Sequence, residues 1–139
     1  MILSVDTFCH YSFFFLILIG LYSTIMRYTL DKNDKYALIR LHEEKLNTLI
    51  SADLKSELLI INSEGYNNII LDLSDTQYCD SSGLSAVLVG NRVCRNANGN
   101  FIVTGLSDGV RKLVTISQLD SVLSISPSVD EAVSQITAD

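Results

Sequence analysis

Asn68-Ile69-Ile70-Leu71-Asp72-Leu73-Ser74-Asp75-Thr76-Gln77-Tyr78-Cys79-Asp80-Ser81-Ser82-Gly83-Leu84 contains both halves of a folding unit. Residues 68–73 are short, apolar and bounded by polar residues, the pattern of a buried strand. Asp80-Ser81-Ser82-Gly83 then supplies cap-forming side chains just before an apolar run that predicts a helix to about Ala97. The apolar positions of that helix, Leu84, Ala86, Val87, Leu88, Val89, Val93 and Cys94, cover more than one face. It should therefore pack on a sheet and also meet a second surface.

Upstream, Tyr28-Thr29-Leu30 and Tyr36–Leu41 read as strands of a hairpin around Asp31-Lys32-Asn33-Asp34. Ser51 is the expected cap of a helix to about Glu64, with Leu54, Leu58 and Ile61 inward and Gly65 as its stop. Downstream, Asn98-Gly99 predicts a turn and Asn100–Thr104 a strand. A short helix is expected from about Ser107, burying Val110, Leu113 and Val114, then a strand over Ser121–Ile125. Ser128 and Glu131 form a capping-box pattern for a last helix, whose apolar face is Val129, Ala132, Val133 and Ile136. Repeated strand–helix units imply an α/β sandwich: a mostly parallel, mixed sheet of about five to six strands packed against about four helices.

Composition narrows the function. Hydrophobic residues make up 47% of the 139-residue chain and charged residues 19%, which is globular composition. Sixteen acidic against ten basic residues give a net charge of −6, which argues against a direct nucleic-acid surface. Cys9, Cys79 and Cys94 form no CxxC pair, favouring a reduced, cytoplasmic setting, and His10 and His42 lack partners at metal-ligand spacing. No metal or other cofactor is expected. Residues 1–25 differ from the rest. Phe8–Met26 is 19 residues without a formal charge, near the lower limit for spanning a bilayer, and no basic residue precedes it. Two readings stand: a membrane anchor within residues 8–26 holding a cytoplasmic domain, or a start assigned upstream of the true one, with the domain occupying 26–139.

With these residues in place, the chain resembles the STAS domain family, named for sulphate transporters and anti-sigma-factor antagonists. The resemblance rests on Ile69–Ser74 followed by Asp80-Ser81-Ser82-Gly83-Leu84, on Asn98-Gly99 before the next strand, on Leu119-Asp120, and on Glu131-Ala132 in the closing helix. It covers about residues 27–137. It implies a STAS-type sandwich acting as an anti-sigma factor antagonist, a non-enzymatic switch that regulates sigma-factor-dependent transcription. The implied partners are an anti-sigma factor that is also a serine kinase, and a phosphatase that resets the switch. Ser81 is the implied phosphoacceptor and Ser82 the second candidate. Asn47, Asp80, Ser81, Ser82, Gly83 and Leu84 form the expected partner-facing surface, with Gly83 admitting a partner's backbone. The alternative is a STAS scaffold subunit of a membrane transport system, without phosphorylation.

Read from spacing alone, Asp80 or Ser81 is simply a helix cap. A phosphate at a helix start is nevertheless physically tolerable, because unpaired N–H groups and the positive dipole end face it. It would change the surface beside Asp80 without unfolding the domain. Family members often carry Gly-x-Leu-Asp before the first helix, whereas this chain has Glu44-Lys45-Leu46-Asn47, so its partner preference is expected to differ. A hydrolase triad is disfavoured: no GxSxG elbow exists and His42 reads as an edge residue. A receiver-type aspartyl phosphoacceptor at Asp72, with Glu43-Glu44 as the acidic pair, lacks the Lys-Pro after the last strand; Asp72 reads as structural.

Overall fold

The computed structural model describes residues 28–138. Seven strands and four helices alternate along the described chain: β1 Tyr28–Lys32, β2 Ala37–Leu41, β3 Lys45–Leu46, α1 Thr48–Ser63, β4 Ile69–Asp72, β5 Tyr78–Cys79, α2 Ser81–Asn96, β6 Phe101–Thr104, α3 Asp108–Ile116, β7 Ser124–Ser126 and α4 Val129–Thr137. Five strands form the main sheet in the order β1-β2-β4-β6-β7. The β1–β2 pair is antiparallel, as expected of a hairpin, and the rest are parallel. The mixed α/β sandwich expected from the sequence is thus the fold.

Side chains alternate across the sheet and sort the helices onto its two faces. Ile39, Ile69, Leu71, Phe101 and Val103 enter the larger core with Leu54, Leu58 and Ile61 of α1, Ala86 and Val87 of α2, and Val110 and Val114 of α3. Leu38, Ile70 and Ile102 point the other way, onto Ala132, Val129, Val133 and Ile136 of α4. Each fully buried Ile or Leu contributes roughly 1.5–3 kcal/mol relative to exposure, so both faces specify the register.

Two local expectations change. The first helix is capped by Asn47 and not Ser51: Asn47 Oδ1 accepts from the N–H groups of Leu49 and Ile50, at 3.2 and 3.4 Å. Ser51 lies buried inside the first turn, its hydroxyl donating to the Thr48 carbonyl. Gly65 does end this helix, at φ +104°, with Gly65 N–H bonded to Asn62 O and Tyr66 N–H to Ile61 O. The second surface met by α2 is intramolecular: it packs beside α1 and on β6, where Gly90 leaves room for the Phe101 ring. Finally, the strand expected over Ser121–Ile125 shifts to Ser124–Ser126. A 3-10 turn over Leu119–Ser121, entered through left-handed Gln118, keeps the chain turning until Leu123 buries.

At the end of β4 the buried Asp72 carboxylate is fully engaged. Its Oδ2 lies 3.3 Å from Arg40 Nε, and its Oδ1 accepts from the Ser74 N–H and hydroxyl. These contacts fit the structural role expected of Asp72.

Candidate functional site

A two-stranded parallel sheet not anticipated from sequence builds the site. Its register pairs Lys45 with Tyr78 and Leu46 with Cys79. The residues that follow, Asn47 and Asp80, are the N-caps of α1 and α2, so the two helix starts lie side by side. The Asp80 N–H donates to the Leu46 carbonyl at 3.3 Å, and the Gln77 and Tyr78 N–H groups donate to the Glu44 carbonyl.

Asp80 Oδ1 accepts from the Gly83 N–H at 2.9 Å and from the Ser82 hydroxyl at 2.5 Å. The Ser82 hydrogen bond, then that of the Gly83 backbone, holds the Asp80 carboxyl below the usual aspartate range. Ser82 Oγ also lies 3.3 Å from Thr48 Oγ1, tying the start of α2 to that of α1. Ser81, the first residue of α2, is exposed, and its hydroxyl has no hydrogen-bond partner among the described residues. The two adjacent serines therefore differ: Ser82 is occupied with the local scaffold and Ser81 is presented to solvent.

Gly83 and Leu84, expected on the partner-facing surface, are buried at the start of α2. A Cβ on Gly83 would come within 2.5 Å of Leu46 O and 2.6 Å of Cys79 Sγ. This glycine permits a close backbone approach to β3 and β5 of its own chain. Leu84 belongs to the main core. Cys79 lines the floor beneath, its thiol pushed up to about 12 by burial and then by the Asp80 charge; burial does the same to Cys94. Both are small buried hydrophobes.

Around Ser81 the surface is apolar where sequence reading saw little. Among the described large hydrophobic residues, Tyr78 is 56% and Ile116 70% exposed; Leu49, at the start of α1, is 74% exposed. Tyr78 and Ser81 share an open groove with Lys112 and Ile116 of α3. Alternation within the two-residue β5 was too short to signal that Tyr78 faces out. Ile116, at the end of α3, lies off the face carrying Val110 and Val114, and that periodicity could have marked it as exposed. His42 stands apart, bonded to Thr29 Oγ1 and to Asp75 Oδ2 at the surface. No group of three or more His, Cys, Asp or Glu among the described residues could hold a metal ion.

The sequence model of the STAS domain matches residues 27–132. The chain belongs to the STAS domain family. This STAS domain is 29% identical over 107 residues to BtrV of Bordetella bronchiseptica, which bears the name of an anti-sigma factor antagonist; the match spans 77% of this chain and 91% of BtrV. In fold it is similar to the anti-sigma factor antagonist SpoIIAA in its unphosphorylated form, with a TM-score of 0.70 and 21% identity over 81% of this chain and 97% of that one. The phosphorylated form of the Bacillus cell-fate determinant SpoIIAA gives a TM-score of 0.63 at 22% identity, covering 78% and 98%. At such identities these two likenesses speak to fold alone. No helix among the described residues is long and apolar enough to cross a membrane; the apolar stretch at 8–26 lies outside them.

Proposed function

We propose that this STAS domain is an anti-sigma factor antagonist controlled by phosphorylation of Ser81. The observation that carries the reading is the division of labour between neighbours: Ser81 is exposed with a free hydroxyl, while Ser82 is bound to Asp80 and faces Thr48. A kinase can thus transfer the γ-phosphoryl of ATP to Ser81 Oγ, releasing the hydroxyl proton, without breaking a side-chain contact of the fold. The relatives' names support the role, and an anti-sigma factor with serine-kinase activity is the proposed partner, with a phosphatase resetting the switch. Unphosphorylated, the domain offers Ser81 in a groove with the exposed Tyr78 and Ile116. Phosphorylated, the same surface carries about −1.5 to −2 added charges beside Asp80, which disfavours an apolar or acidic partner. Nothing in this cycle requires catalysis by the domain itself, and a cytoplasmic location follows from the partners proposed. The domain is taken to occupy 26–139.

The test is incubation with the serine kinase of the same genomic neighbourhood and ATP, followed by mass-spectrometric mapping. Label on wild type that disappears in Ser81→Ala supports the assignment. Equal labelling of both removes it, and absence of label together with recovery in a transporter complex would favour the scaffold role. Ser81→Glu should stay folded and lose affinity for the kinase.

A further inference from the structure

The groove beside Ser81 holds a charge that the site as described leaves unused. One wall is the junction of β5 and α2, with Tyr78 and Ser81; the other is α3, with Lys112 and Ile116. Lys112 is exposed, is the only cation lining this groove, and forms no ion pair with any described residue. The one acid of the lining, Asp80, is committed to Ser82 and Gly83, and the other titratable groups there are Tyr78 and the buried Cys79. The α3 wall is held in place. Ser107 caps the helix, and at Gly109 a Cβ would lie 2.9 Å from the Gln77 carbonyl oxygen, so the start of α3 sits directly against the strand leading to Ser81. A lysine on such a fixed wall has a flexible four-carbon stem and three donors with which to meet a phosphate on the opposite one.

We propose that Lys112 receives the phosphate of Ser81 across this groove and draws it over Tyr78 and Ile116. The proposal rests on Ser81 being the phosphoacceptor. Phosphorylation then does more than add repulsive charge: it neutralises the groove's cation and covers the apolar surface between the two walls.

The experiment needs no kinase. The full chain is produced with phosphoserine incorporated at position 81 during translation, and the phosphate is titrated by its 31P chemical shift. Lys112→Met should raise the second phosphate pKa by ~0.15–0.7 unit relative to wild type, the range of an exposed ion pair. Lys112→Arg should restore the wild-type value. Arg111→Met removes an adjacent exposed charge that does not line the groove and should move the titration by less than about a tenth of a unit. The wild-type-to-Lys112→Met difference should also shrink in ~1 M salt. Coincident wild-type and Lys112→Met titrations would overturn the proposal, as would an equal shift in Arg111→Met. Because the phosphate is installed during synthesis, a kinase that ignores Ser81 refutes the proposed function without touching this result, and a flat Lys112→Met titration refutes only the capture by lysine.

Discussion

Replacing Gly83 by alanine sets two opposing effects against each other beneath the site. Gly83 is the third residue of α2, and alanine is the better helix former by up to about 1 kcal/mol. Against that gain, the new Cβ would meet Leu46 O at 2.5 Å, Cys79 Sγ at 2.6 Å and Leu46 Cγ at 2.8 Å. The first of these is backbone, so no rotamer change relieves it. The β3–β5 ladder must shift by several tenths of an ångström, and the same Leu46 carbonyl accepts the Asp80 N–H. Overpacking of this kind costs about 1–3 kcal/mol, and weakening the Asp80–Leu46 hydrogen bond adds up to about 1 kcal/mol. Repulsion wins, with a net loss of roughly 1–3 kcal/mol. For a domain of this size that lowers Tm by about 4–12 °C, to be read by thermal melts and urea titration beside Ser81→Ala, which should stay within ~0.5 kcal/mol of wild type. The displaced Leu46 and Cys79 precede Asn47 and Asp80 directly, so any kinase labelling of Ser81 should also fall in Gly83→Ala. A variant as stable as wild type, or more so, would refute the reasoning: it would mean that β3 and β5 are not packed against the start of α2.

Two further outcomes follow from the ionisation of the site. Asp80 has a folded pKa held below its ordinary value of 3.8, so its charged form stabilises the domain fully above that value and the benefit fades as pH falls through the lower folded value. The Tm advantage of wild type over Asp80→Asn should therefore be constant near neutrality and narrow only in acid; an advantage that grows on acidification would contradict the assignment. The Cys79 and Cys94 thiols, raised from 9.0 to about 12, should alkylate on the order of 10³-fold more slowly in the native state near neutral pH than after unfolding. Peptide mapping after a short iodoacetamide pulse reads this directly, and rapid native labelling of Cys79 would show that the floor of the site opens.

Much of the fold was legible because it depends on local pattern. Ile69-Ile70-Leu71 announced a strand buried on both faces, and the structure sends Ile69 and Leu71 to one core and Ile70 to the other. The spacing of Val129, Ala132, Val133 and Ile136 similarly marked the face of α4 that covers Ile70. Legibility failed where a choice depended on distant residues. Ser51 and Asn47 are both good caps; Asn47 prevails because the pairing of Leu46 with Cys79 holds the chain extended up to that point. Likewise the strand expected at Ser121 begins later, because the 3-10 turn must first bring Leu123 into the core.

The Asp80–Leu84 segment divides along the same line. Its sequence by itself determined that a helix begins there, since an aspartate followed by Ser-Ser-Gly and an apolar run satisfies orphan N–H groups whatever lies nearby. It could not say which serine is free or which way the glycine faces, because exposure belongs to the assembled surface and not to a segment. Tertiary structure alone decided that Ser82 meets Thr48, that Gly83 is pressed against Leu46 and Cys79, and that Ser81 is left to solvent across a groove from Lys112. The physical reason is that local hydrogen bonding starts a helix, whereas the surface that the helix presents is set by what packs beneath and beside it.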